Sequence, residues 1–266
     1  MNRETLRKQY EERIRESSNG FIHKDSSSSL GKRTEWKDEI SLEHIRHAFI
    51  EQYDGSGLIP CFLITNAYYY KEYDREAVVR NNERMNRIVN DFFNQYDREN
   101  KRIYIDHFIE RYEDSYDDEG SRKSPVLNTI TGEYELDWCN REKKQGSFHS
   151  HHLVSCIPDE IIIQPGKRVM NGINSVYGGN GLPAYLRYEE RIEEVKCDLL
   201  DYALRKRCEF IGNSEKSLDV RPIDPRRSFD GYSGWKGAVA YVTKNMTSVD
   251  KIVQIYDGRN SNILKE

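Results

Sequence analysis

Three of the seven histidines fall within residues 147–154, SFHSHHLV. Phe148, Leu153 and Val154 give this stretch the character of a β-strand, with a stop at Pro158. Side chains alternate across a strand, so His149 and His151 share one face with Leu153 while His152 points the other way. Two imidazoles about 7 Å apart along a rigid strand can grip one divalent metal ion from one side and leave its other positions open. Alone, a His-x-His pair is weak, because this composition yields one roughly one time in six by chance. Such a pair is more often a surface or packing feature.

A tight site needs a third ligand. Glu110 lies near the end of the apolar stretch 102–112, RIYIDHFIERY, directly upstream of the histidine strand. An antiparallel pairing of the two would set its carboxylate level with the imidazoles. Glu113, Glu135 and Asp137 compete for the role. A carboxylate beside two imidazoles suits Mn2+ or Mg2+ with positions left for phosphate oxygens. Zinc would be less surprising with a cysteine on that face, and the strand offers none.

A nucleophile is offered by Tyr241-Val242-Thr243-Lys244. On a helix, residues three apart share a face, so the phenol and the ammonium point together. A nearby positive charge favours the phenolate, the form that attacks a phosphodiester. About one Tyr-x-x-Lys is expected by chance in so tyrosine-rich a chain, and Tyr68 with Lys71 is a second instance. Tyr241 is preferred because it lies on a credible helix, whereas Tyr68 follows a strand in a tyrosine-rich loop. One turn before Tyr241 stands Gly237, which leaves a single tyrosine on that face.

These residues need elements to hold them. Ser41 opens a helix with Leu42, Ile45, Ala48 and Phe49 on one stripe. Residues 59–65, IPCFLIT, read as a buried strand. Residues 74–96 are a long helix with Val78, Met85, Ile88, Val89, Phe92 and Phe93 on its apolar side. Residues 113–146 read as an insertion, and 164–183, with five glycines, as a long flexible loop. Residues 184–208 are helical, 217–223 a third plausible strand, and 234–245 a short amphipathic helix. Residues 2–17 are charged and helix-prone, and 26–29 form a serine-rich linker. Irregular alternation of strands and helices predicts an α+β fold, with an antiparallel sheet and helices mainly on one face.

The chain has 266 residues, 32% of them charged and 36% hydrophobic, with a net charge of −4. That balance argues against a general nucleic-acid coat and leaves a nuclease open, since local charge decides. Acid concentrates in 110–119. Base clusters at Lys167-Arg168, at Arg205-Lys206-Arg207 and across 221–227. No apolar run approaches the ~18 residues of a membrane span, and the N-terminus lacks a signal-peptide core, so a cytoplasmic location is expected. Cys61, Cys139, Cys156, Cys197 and Cys208 include no CxxC pair and read as reduced thiols. Gly31-Lys32 lacks the preceding strand and glycine of a phosphate loop, so no ATPase or helicase domain is expected.

Order adds what no single motif carries. FLITN (62–66), an acid-bearing strand, FHSHHLVS (148–155) and AYVTKN (240–245) follow one another. This arrangement resembles the HUH endonuclease superfamily, particularly the replication-initiator (Rep) proteins of small plasmids and phages. The resemblance spans 57–247 loosely and departs from the family at Ser150, where a hydrophobic residue is usual. It implies an HUH/RRM-like nuclease domain with an about five-stranded central antiparallel sheet and flanking helices. The domain would span 56–250, between an N-terminal helical segment (1–55) and a C-terminal tail (251–266). By the same resemblance, His149, His151 and Glu110 would hold the metal and Tyr241 would attack the scissile phosphate. Lys244 would manage charge, and the chain would nick and rejoin single-stranded DNA through a 5′-phosphotyrosine to start rolling-circle replication. Its partners would be single-stranded DNA at an origin or hairpin, a host helicase and a polymerase, with no membrane. Arg221, Arg226 and Arg227 could contact phosphates, and Tyr68 to Tyr70 could stack on bases. A transposase or mobilisation relaxase, or a non-catalytic origin-binding regulator, fits the same motifs.

Overall fold

The computed structural model describes residues 41–68, 74–93, 103–112, 147–155, 157–186, 189–212, 214–247, 251–252 and 255–256. Four short strands between 115 and 144 are described by their backbone alone. The expected helix at 2–17, the linker at 26–29, Tyr69, Tyr70, Lys71, Cys139 and Cys156 lie outside the described residues.

Helix α1 (Leu42–Ser56) begins at Ser41, whose hydroxyl accepts from the His44 amide, and ends at Gly57 with φ 69°. An N-cap hydroxyl and a left-handed glycine are the usual stops of an α-helix. Strand β1 (Pro60–Ala67), helix α2 (Arg75–Phe93) and strand β2 (Tyr104–Arg111) follow. Next come the short strands β3 (Ser115–Tyr116), β4 (Pro125–Leu127), β5 (Tyr134–Leu136) and β6 (Lys143–Lys144). They form nested antiparallel pairs, β3 with β6 and β4 with β5, apart from the main sheet.

The histidine strand is β7 (Phe148–Ser155). After it come α3 (Asp159–Ile163), α4 (Lys167–Tyr177), α5 (Ile192–Arg207), β8 (Leu218–Pro222), β9 (Ser228–Phe229), β10 (Tyr232–Ser233) and α6 (Gly234–Val242).

Strands β2, β7, β1 and β8 form one antiparallel sheet in that order. The fold is therefore α+β, with four strands among the described residues where about five were expected. Among the described residues, the outer edge of β2 meets an isolated bridge, Phe108 to Tyr256.

Helices cover both faces of the sheet, not mainly one. On one face α2, α4 and α5 bring Met85, Phe92, Val169, Val195 and Leu199 onto Phe62, Ile64, Ile105 and Val154. On the other, α1 and α6 bring Ile45, Phe49 and Val239 onto Phe108 and Leu153. Cover on both sides explains why β7 is buried from His149 to Ser155 and not alternately exposed. Burying each large apolar side chain contributes about 1.5–3 kcal/mol.

Ile252, Ile255 and Tyr256 belong to the second cluster, as do Ile45, Phe49, Ile50 and Tyr53 of α1, so the packed body extends on both sides of the range 56–250. Asp106 is buried there, accepting hydrogen bonds from Tyr53 of α1 and from Tyr256, both at 2.7 Å.

The glycine-rich stretch 164–183 is largely helix α4. Gly166 and Gly178 are its caps, the latter at φ 82°. Gly172 lies against α2, where an added Cβ would stand 2.7 Å from the Phe92 ring. Composition suggested flexibility; the glycines serve helix ends and a close helix–helix approach. Among the described residues no helix is long and apolar enough to cross a membrane.

Candidate metal centre

Register builds the site. Glu110 pairs with His149 across β2 and β7, and Thr65 pairs with His151 across β1 and β7. Directly opposed residues of an antiparallel pair point to the same face. Glu110, His149, His151 and Thr65 thus converge on the face that α6 partly covers. His149 Nε2 lies 3.5 Å and His151 Nε2 3.4 Å from Glu110 Oε2.

These three residues are the group, among those described, whose ligand atoms lie close enough together to hold a metal ion, within 4.8 Å of one another. Adjacent ligands on a six-coordinate ion with bonds of about 2.1 Å stand about 3 Å apart, so the spacing fits. His151 is 2% exposed, and its Nε2 has no hydrogen-bond partner although it faces the carboxylate. An orphaned buried nitrogen costs free energy unless something takes its lone pair or proton. Glu113 and Asp137 lie outside the described residues, and Glu135 is described by its backbone alone.

Lys244 closes the group from the side of α6. Its Nζ donates to both oxygens of Glu110, at 2.8 and 3.0 Å. Burial alone would raise the pKa of Glu110, but the two imidazoles and the ammonium overcome it and hold the carboxyl well below the usual range. His151 is shifted down, first by burial, which outweighs the attraction of Glu110. An ionised carboxylate and neutral imidazoles are the forms that ligate metals.

Tyr241 sits where the Tyr-x-x-Lys spacing puts it. Its ring meets His151 edge-on at 5.2 Å between centroids, and Lys244 Nζ lies 4.2 Å from the ring centre. Phe229 packs edge-on against its other side at 5.4 Å. The tight hairpin of β9 and β10 delivers Phe229. Asp230 and Gly231 both have positive φ, 51° and 83°, as a two-residue turn of this kind requires. Gly237 rests on that hairpin, and a Cβ there would stand 2.8 Å from the Tyr232 carbonyl oxygen. The position one turn before Tyr241 therefore has no room for a second tyrosine.

The competing Tyr68 belongs elsewhere. It is buried on the opposite face, where it donates to Asn82 Oδ1 at 2.9 Å. Asn82 donates to Ser150 Oγ at 3.3 Å, and Ser150 lies 2.6 Å from the Tyr68 hydroxyl. Ser150, between the two metal-facing histidines in sequence, thus closes a three-membered polar ring in the core. Arg221 is exposed and paired with Asp219 at 2.7 Å; Arg226 and Arg227 are exposed in the turn before β9. None of the three arginines belongs to the metal group.

Sequence reading missed Thr65, Tyr112 and Phe229. Tyr112 is 47% exposed and stacks on His149 with centroids 4.2 Å apart and planes 22° from parallel. Burial and the neighbouring Tyr241 push its pKa up, which disfavours its phenolate. The Asp-Gly turn was a legible signal for Phe229; nothing local marked the other two. Cys197 and Cys208 are free thiols raised by burial to about 11 and about 12, far from thiolate chemistry at neutral pH. No family model, no curated protein and no solved structure matches this chain.

Proposed function

We propose that the chain is a metal-dependent, single-tyrosine endonuclease of the HUH type. It would nick and rejoin single-stranded DNA to initiate rolling-circle replication of a small replicon. One observation carries the reading: a two-histidine, one-carboxylate group and a Tyr-Lys pair at the C-terminal end of a separate helix meet on one sheet face, with the Tyr241 ring 5.2 Å from that of His151. Neither half has an evident purpose without the other. The motif order supports the same reading.

His149, His151 and Glu110 would hold Mn2+ or Mg2+, which when bound supplies Lewis-acid polarisation of a phosphate oxygen. Tyr241 Oη attacks the scissile phosphorus and gives up its proton to solvent. The P–O3′ bond breaks, and the departing oxygen takes a proton to become a free 3′-OH. The 5′ end stays on the enzyme as a phosphotyrosyl ester. Attack by a 3′-OH on that ester rebuilds the phosphodiester and returns the tyrosine, so rejoining needs no nucleoside triphosphate. Lys244, held between Glu110 and the Tyr241 ring, offers positive charge to the phenolate or phosphate. The His151 and Phe229 rings pack edge-on against the nucleophile.

The test is incubation with Mn2+ and a pool of labelled single-stranded oligonucleotides, resolved on a denaturing protein gel. A metal-dependent covalent band in the wild type, absent from Tyr241→Phe, is expected. The same band from both proteins would place the nucleophile elsewhere. No band from either, across a pool that includes the replicon's origin, would leave an origin-binding protein without turnover.

A further inference from the structure

We infer that Thr65 is the positioning residue of the metal centre, its hydroxyl fixing the rotation of His151 that turns Nε2 toward Glu110. This rests on the metal-binding part of the proposed function and is independent of strand nicking.

Thr65 Oγ1 lies 2.9 Å from His151 Nδ1. An imidazole that ligates through Nε2 carries its proton on Nδ1 and needs an acceptor there. In that tautomer the Thr65 hydroxyl oxygen accepts a hydrogen bond from Nδ1–H. It can equally donate to Nδ1 when the proton sits on Nε2, so the buried nitrogen is served in either tautomer. Two features make it a firm anchor. Threonine is stiff about χ1 because it branches at Cβ. The strand pairing also sets it directly opposite His151, with no freedom to slide.

The neighbouring residue shows the same logic on the other face. Asn66 Oδ1 lies 2.5 Å from His152 Nε2. Two adjacent polar side chains of β1 thus each take one imidazole of β7, one per face. His149 has no such anchor: its Nδ1 lacks a hydrogen-bond partner among the described residues, and its ring is held by stacking on Tyr112. The two metal-facing imidazoles are therefore oriented by different means, and Thr65 serves only one.

Titration of the metal-free protein with Mn2+, followed by electron paramagnetic resonance, tests the assignment. Thr65→Val keeps the shape and removes the hydroxyl; it should weaken Mn2+ binding by about 10–100-fold. Thr65→Ser should restore affinity close to wild type. Nitrogen-15 spectra of the wild type loaded with diamagnetic Mg2+ or Zn2+ should show the His151 proton on Nδ1, a readout that stands even if Thr65→Val fails to fold. Unchanged Mn2+ affinity in Thr65→Val, or Thr65→Ser as weak as Thr65→Val, overturns the assignment, as does a His151 proton on Nε2. A wild type that binds no Mn2+ sinks the metal centre and this role together. Weakened binding in Thr65→Val without any DNA adduct from the wild type would keep the role and reject the nuclease.

Discussion

Strand β7 carries histidines on both faces of the sheet, and their fates differ. His149 and His151 face Glu110, Lys244 and the Tyr241 ring, in a setting of charge and partial access to water. His152 faces the larger core, where its Nδ1 lies 2.7 Å from Nδ1 of His107, and both rings are fully buried. Burial lowers the pKa of His107 to about 3, and burial with the neighbouring imidazoles puts His152 well below its ordinary value. Neutral imidazole suits both places. On one face it frees a lone pair for a metal; on the other it avoids an ion in an apolar interior. One residue type, one strand and a shift of a single position separate a candidate ligand from a core polar group.

The sharpest way to break this contrast is to remove one histidine from each face. His151→Ala should abolish Mn2+ binding and cut adduct formation by at least about a thousandfold, with a stability change of about 1 kcal/mol or less. Gel quantification and thermal melting give the two numbers. His152→Ala should do the reverse. It removes a packed ring and strips His107 and Asn66 of a partner, costing about 2–4 kcal/mol in urea unfolding. Wherever that variant is folded, Mn2+ affinity should stay near wild type. Equal stability losses on both faces would dissolve the distinction.

Acid gives a gentler test of the sealed pair. The unfolded chain protonates its histidines near pH 6.5, whereas folded His107 resists until about 3. Between those values the unfolded state binds more protons, so stability falls as pH falls, by about 1.4 kcal/mol per pH unit for each such histidine. The decline should be visible between pH 6.5 and 5, before most carboxylates titrate. A flat melting temperature across that window in wild type would mean that His107 is not sealed. In a His107→Leu variant the slope should be shallower.

Much of the site was legible because strands impose parity. The spacing in HSHH assigned His149 and His151 to one face, and a strand ending near Glu110 placed its carboxylate beside them once the two paired antiparallel. Helical spacing joined Tyr241 to Lys244. What escaped depends on contacts between distant segments. Thr65 reaches His151 only through the register of β1 on β7, and Tyr112 stacks on His149 just past the end of β2. Composition misled at α4, where glycines that cap and pack a helix look the same in sequence as glycines that loosen a loop. It was also silent on the α1 and α6 cover of the second face, which rests on pairings across about 200 residues of chain.

Asp106 ties these distances together. Two tyrosines that donate to it come from positions 53 and 256, so the second of these hydrogen bonds must wait until Tyr256 exists. A ribosome makes the four sheet strands by residue 222, and the α2–α4–α5 side can consolidate then. The side bearing the candidate metal ligands must wait for α6 and for Tyr256, some thirty residues later. A nascent chain would thus own its histidine strand well before it could close the face around it, and Tyr241 arrives only with α6. Vectorial synthesis brings Tyr241 to the histidine face only after all four sheet strands exist.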